Sequence, residues 1–174
     1  SLGGIIGGIT SSIDKDVAKA AIIVGAGHMT RILMDTANQG FKQPLLDALA
    51  GMGIKEGTPE WDQFFMLAQW GLDLGDPINF LSRPADGIPM DYSKRYIVVE
   101  ARNDGFIPNT ATDEMLETMK SVASNPPVSN MYPKTTQDDL CHGFYLNGCD
   151  ATDYPNFQTA VDQAHQDVVN FLGN

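Results

Sequence analysis

Three side chains far apart along the chain could together move an acyl group: the Ser1 hydroxyl, the Asp104 carboxylate and the His142 imidazole. Acyl transfer by a hydroxyl needs a base within hydrogen-bond reach, an acid that orients the base, and backbone donors for the oxyanion. In an open α/β sheet such groups gather at the carboxyl ends of strands, where the loops face one crevice. Each of the three has an address of that kind. Asp104 lies just past the apolar run YIVVEA, His142 follows VSNMYP in a loop of turn formers, and Ser1 opens the glycine-rich SLGG. Taken singly, each has a plainer explanation. SLGG is a glycine-rich helix start, Asp104-Gly105 an ordinary turn, and His142 a surface imidazole between two cysteines. Their order and their shared position at strand ends make the set.

The elements that must hold them follow from periodicity. AKAAIIVGAG is an unbroken apolar run ending in glycines, as a strand buried on both faces reads. KRYIVVEA, residues 94–101, is a second such strand, and PPVSNMYP a third, shorter one bounded by prolines. Between the first two lies a helical stretch, residues 28–92. PLLDALAGMG is a short helix closed by glycine. TPEWDQFFMLAQWGL starts with Thr58 as N-cap and Pro59 at the first helical position. NTATDEMLETMKSV is amphipathic, with Met115, Leu116 and Met119 on its apolar side. Residues 156–172 form a last helix, burying Phe157, Val161, Ala164, Val168 and Phe171. Strands alternating with helices mean a parallel, layered α/β architecture.

The motifs resemble those of α/β-hydrolases of the esterase and lipase type. SLGG is similar to the nucleophile elbow Gly-x-Ser-x-Gly from its serine onward, which makes Ser1 the nucleophile and Gly3 the glycine after it. ARNDGFIP is similar to the family's acid turn, with Asp104 followed by Ile107 and Pro108, and HGFYL to its histidine loop. Ser, Asp, His is the family's order along the chain. The resemblance implies the C-terminal half of such a fold. Residues 1–27 would be the elbow helix and following strand, 28–92 a helical cap insert, and 93–174 the core carrying the acid and histidine loops. It further implies that the Leu2 backbone N–H serves the oxyanion, and that the reaction uses no cofactor.

Other residues compete less well. His28 follows a strand end and could line the pocket mouth, although a structural role fits it better. His165 sits within the last helix between polar neighbours and reads as solvated. Asp86 and Asp91 precede a strand rather than follow one, so they rank below Asp104 as the acid. Asp138 and Asp139 are near His142 and could bias its charge, or simply solvate the surface. The insert is rich in apolar side chains, among them Phe64, Phe65 and Trp70, which with Ile107 are expected to line an acyl pocket. Packing of the insert on the main body explains about half of them equally well.

Bulk properties narrow the partners. Acidic residues outnumber basic ones 22 to 11, and a surface of that sign repels nucleic acid and anionic lipid. No apolar run reaches the roughly 18–20 residues that span a bilayer. Cys141 and Cys149 flank a short turn-rich loop; two cysteines alone cannot make a zinc site. A local disulfide is the sharper reading, implying an oxidising compartment, secreted or periplasmic. Its role would be to hold His142 in place.

A nucleophile elbow also needs a strand before the serine. Three short strands would leave the first with an open apolar edge, so a complementary N-terminal segment is expected, as a separate chain or one cut from this one. The substrate class expected is an apolar ester. Two other readings stay open: an N-terminal-nucleophile amidohydrolase, and a non-catalytic subunit that keeps a hydrolase fold.

Overall fold

In a computed structural model the chain is described for residues 1–81, 94–122, 125–134 and 138–174. Its centre is a parallel sheet of three strands, β1 (Lys19–Ile23), β2 (Arg95–Ala101) and β3 (Val128–Tyr132), in the order β1-β2-β3. Lys19 pairs with Arg95 and Ile97 with Val128, so the carboxyl ends of all three strands lie at one edge of the sheet. Parallel strands demand crossovers over the faces, and helices cover both. The architecture is α/β, a parallel sheet flanked by helices.

Alternation along the strands splits the core. Ile97, Val99 and Ala101 point to the face covered by α7 (Phe157–Gly173), where they join Val161, Ala164 and Val168. Ile22 and Val98 point the other way, onto Met115, Leu116 and Met119 of α6 (Asn109–Val122). On that face α1 (Leu2–Ile13) leads into β1, and its Ile5 packs with Ala26, Ile32 and Ile107. The C-terminal end of α1 is closed by the buried Lys94. Its ammonium donates to the carbonyls of Ser11 (2.7 Å) and Asp14, the favourable sign for the negative end of a helix.

The described residues between β1 and β2 are helical: α2 (Met29–Asp35), α3 (Gln39–Gly51), α4 (Pro59–Leu72) and α5 (Pro77–Leu81). α4 starts where its sequence says, with the Thr58 hydroxyl accepting from Trp61 N–H. α3 does not. It begins before the proline expected to open it, at Gln39, because Asn38 caps it by accepting from Phe41 N–H at 3.1 Å, and Pro44 lies inside. Leu49, Trp61 and Phe65 make a core of their own, with Phe64 packed against it. α5 belongs to the main body instead, since its Leu81 is buried with Ile22 and Val98.

Candidate active site

The acid turn is built by its own backbone. After β2 the chain turns through Asn103 at φ 50°, a left-handed conformation that asparagine tolerates. The Asp104 carboxylate then folds back, and its Oδ1 accepts the N–H groups of Phe106 (2.8 Å) and Ile107 (3.0 Å). Oδ2 is left for one partner, the Nδ1 of His142, at 2.7 Å. The Asp104 side chain is 2 % exposed and that of His142 24 %. A carboxylate buried this deeply needs its lone pairs filled, and here two amides and an imidazole fill them. With Nδ1 bonded to the acid, the neutral ring carries its proton there and leaves Nε2 as the basic atom.

The histidine loop is tied at both ends. Cys141 and Cys149 form a disulfide, with Cα atoms 5.7 Å apart. Within the bracket Gly148 N–H donates to Gly143 O at 3.0 Å, and a Cβ on Gly148 would meet that same oxygen at 3.0 Å. A side chain does not fit there without pushing the loop open. The Asn103 amide donates to Asp139 at 2.5 Å, joining the acid turn to the stretch before His142. Asp138 accepts from Asn156. Both carboxylates thus serve loop-to-loop contacts.

Ser1 stands at the first turn of α1. Its carbonyl accepts from Gly4 N–H (2.8 Å) and Ile5 N–H (3.0 Å), while its hydroxyl makes no capping bond. The Leu2 and Gly3 amides of this turn have no acceptor within the helix, as at any helix start, and they sit at the positive end of the helix. What seats α1 on β1 is Gly4: a Cβ there would lie 2.8 Å from Ile23 O and 2.9 Å from Gly25 Cα. Gly3, the position matched to the elbow glycine, has open space around it. The Ser1 α-amine donates to Ile23 O at 3.1 Å, and burial pushes its pKa down, with nearby Asp104 pulling it up by less.

Ser1 and His142 face one cavity of about 600 Å³, walled by Leu2, Ile23, Val24 and Leu146 and by Tyr145. They share the space without a direct hydrogen bond between them among the described residues. Val24 is strained: a β-branched residue at φ 42°, while its N–H still reaches Val99 O at 2.8 Å. Strain of this kind costs about 1–3 kcal/mol and collects at functional sites. Leu2 belongs to SLGG and Tyr145 and Leu146 to HGFYL, whereas no sequence motif marks Ile23 and Val24 at the end of the first apolar run.

The five residues expected to line the pocket lie elsewhere. His28, Phe65 and Trp70 border a separate groove of about 470 Å³ between α2 and α4. Phe64 packs inside the insert, and Ile107 is buried under α1. The reason is that α4 turns Trp61 and Phe65 onto its neighbour α3 rather than towards the sheet. His28 takes a structural position: its backbone N–H donates to the buried Asp76 at 2.8 Å and its Nδ1 meets Glu114. His165, expected to be solvated, is exposed but bonds Tyr145 O at 2.8 Å. Asp86 and Asp91 lie outside the described residues.

No group of three or more metal-ligating side chains occurs among the described residues. No helix among them is long and apolar enough to cross a membrane. No protein-family model, no curated protein and no solved structure matches the chain.

Proposed function

We propose that this chain is the C-terminal half of an α/β-hydrolase and carries the catalytic residues of a serine ester hydrolase. The observation that carries the reading is the buried Asp104–His142 pair opening onto the same cavity as Ser1. His142 Nε2 takes the Ser1 proton as Oγ attacks the ester carbonyl. The tetrahedral oxyanion forms at the N-terminus of α1, where the Leu2 N–H and the helix dipole stabilise negative charge. The intermediate collapses, the C–O bond to the alcohol breaks, and His142 returns the proton to the departing oxygen. Water, activated by the same imidazole, then adds to the acyl-enzyme and releases the acid and Ser1. The apolar cavity walls suit an apolar acyl group, and the disulfide suits an oxidising compartment, secreted or periplasmic.

The complementary N-terminal segment belongs to this proposal. Ala21 and Ile23 direct backbone groups to the outer edge of β1, because their neighbours Ile22 and Val24 bond β2. Among the described residues that edge meets only the Ser1 nitrogen, on Ile23 O. This is where a further parallel strand ending at Ser1 would pair.

The N-terminal-nucleophile alternative differs in its base, since it requires a free amine on Ser1 in place of the His142 imidazole. Labelling with a fluorophosphonate, together with hydrolysis of a short p-nitrophenyl ester, separates the readings. A serine hydrolase of the proposed type labels at Ser1 and stops labelling in Ser1→Ala and His142→Ala. Activity that survives His142→Ala points to the amine as base, and a chain that never labels is a non-catalytic subunit.

A further inference from the structure

Phe106 touches both members of the acid–base pair. Its backbone N–H donates to Asp104 Oδ1 at 2.8 Å, and its ring lies against the His142 imidazole, centroids 5.2 Å apart and planes 31° from parallel. Its covalent bond to Cβ and the Nδ1 bond to Asp104 fix two points of the imidazole and leave it free to tilt about the line between them. A second surface against one face removes that freedom, and an offset aromatic pair at this spacing is attractive in its own right.

The other face of Phe106 is occupied as well. Phe41, in the first turn of α3, stacks on it at 5.6 Å and 29°. Phe41, Phe106 and His142 therefore form one column running from the helical insert to the base. The acid turn and the start of α6 that follows it are each fastened to the insert by one further bond. The Thr36 hydroxyl, with its residue 1 % exposed, donates to Gly105 O at 3.2 Å, and the Thr110 hydroxyl to Asp35 Oδ2 at 2.7 Å. The acid turn is thus shared between the insert and the pair.

We infer that Phe106 is a positioning residue for the base His142, and that Phe41 couples the placement of α3 to it. The assignment of His142 as a base rests on the function proposed above; the stacking contact does not. In this arrangement the insert sets the angle at which Nε2 faces the Ser1 hydroxyl, although no described residue of the insert lines the cavity.

The test uses two readouts on the full chain. The first is the NMR ring-proton shifts of His142, assigned by comparison with His142→Ala and judged against His28 and His165. A ring stacked on Phe106 feels its ring current, so Phe106→Leu should move the His142 resonances and leave those of the other two histidines in place. Phe41→Leu, at a position 41 % exposed and therefore benign for folding, should move them less and in the same direction. The second readout is the rate of fluorophosphonate labelling at Ser1. It should fall about tenfold in Phe106→Leu, since small misplacements of a reacting group cost this much or more, and recover to within about twofold in Phe106→Tyr, which keeps the ring. His142 resonances that stay put in both leucine variants overturn the inference, as does labelling unchanged in Phe106→Leu. If the unaltered chain does not label, the resonances alone decide. A shift in them upholds the positioning contact while the hydrolase reading fails.

Discussion

Among its described residues the chain holds two histidine–carboxylate pairs, and only one has a buried acid and shares a cavity with Ser1. His142 and Asp104 lie past the ends of β3 and β2; His28 and Glu114 join the end of β1 to α6. In both, Nδ1 meets a carboxylate oxygen. The difference is in what surrounds the acid. Asp104 is 2 % exposed and filled by two amides, so its remaining lone pairs point one way. Glu114 is 36 % exposed and divided between His28 and Arg31, whose Nε lies 3.5 Å away. Nor, among the described residues lining its groove, does His28 have an idle hydroxyl. Thr30, beside it on the same groove, spends its proton on Gln69 Oε1 at 2.8 Å. Pairing distance therefore does not separate the two pairs; burial of the acid and a hydroxyl across a cavity do, and the proposed function rests on these.

That contrast breaks first at the histidines. His142→Ala should lower ester hydrolysis and Ser1 labelling by at least about a thousandfold, as loss of the base does where the three groups act as a unit, whereas His28→Ala should leave both within about threefold. Steady-state kinetics on the two variants decides it, and equal losses would erase the distinction. Next comes the acid. Asp104→Asn keeps the shape but offers His142 Nδ1 an amide, so the wrong tautomer is favoured and kcat should fall by roughly 10³–10⁴-fold. The third is the clamp around His142. Cys141→Ala with Cys149→Ala removes a short-loop crosslink worth about 2–3 kcal/mol in the chain-entropy account. Denaturant unfolding should show that loss together with a lower kcat, and a stability loss at unchanged kcat would confine the disulfide to the fold.

The contrast also shows what a sequence can disclose. β2 was legible because burial on both faces demands an unbroken apolar run such as YIVV, while the similar AAII of β1 has only Ile22 buried. Thr58 and Pro59 marked α4 because capping is local chemistry. The Asp104–His142 contact could be anticipated because both follow strands whose parallel pairing sets their ends side by side. What stayed hidden depends on contacts distant along the chain. Gly4 rather than Gly3 bears the close approach, since the tight neighbour is Gly25, a partner no local pattern shows. Pro44 read as a helix start, yet Asn38 begins α3 earlier. The aromatic residues of the insert read as a pocket roof, but whether Phe65 meets a substrate or Leu49 is decided by how α4 leans, and periodicity is silent on that.

A buried carboxylate without an imidazole sharpens the comparison from another side. Glu100, on β2 near Asp104 in sequence, is 3 % exposed and accepts from the Ser129 hydroxyl (2.7 Å) and the Asn109 amide (3.2 Å). Burial pushes its pKa up, and these two hydrogen bonds offset this only in part. A carboxyl raised in the folded state binds its proton there at pH values where the unfolded chain has already released it. Stability therefore falls as pH rises from the ordinary glutamate range through the raised value. Glu100→Gln removes that dependence, so its melting temperature relative to the unaltered chain should climb as pH goes from about 4 to 7. Parallel curves would mean that Glu100 stays ionised in the fold.

The smallest effect is expected at the second pair. In Glu114→Gln the His28 contact becomes an amide hydrogen bond, and Arg31 keeps Asp35, whose Oδ2 is 2.9 Å from its Nε. Both members of the pair are more than a third exposed, so water screens the charge that is lost, and exposed pairs contribute less than about 1 kcal/mol. Thermal unfolding should shift by a few degrees at most, and Ser1 labelling should not change. If Glu114→Gln instead slowed labelling as Asp104→Asn does, the groove between α2 and α4 would have to be part of the chemistry, and exposure of the acid would no longer tell the two pairs apart.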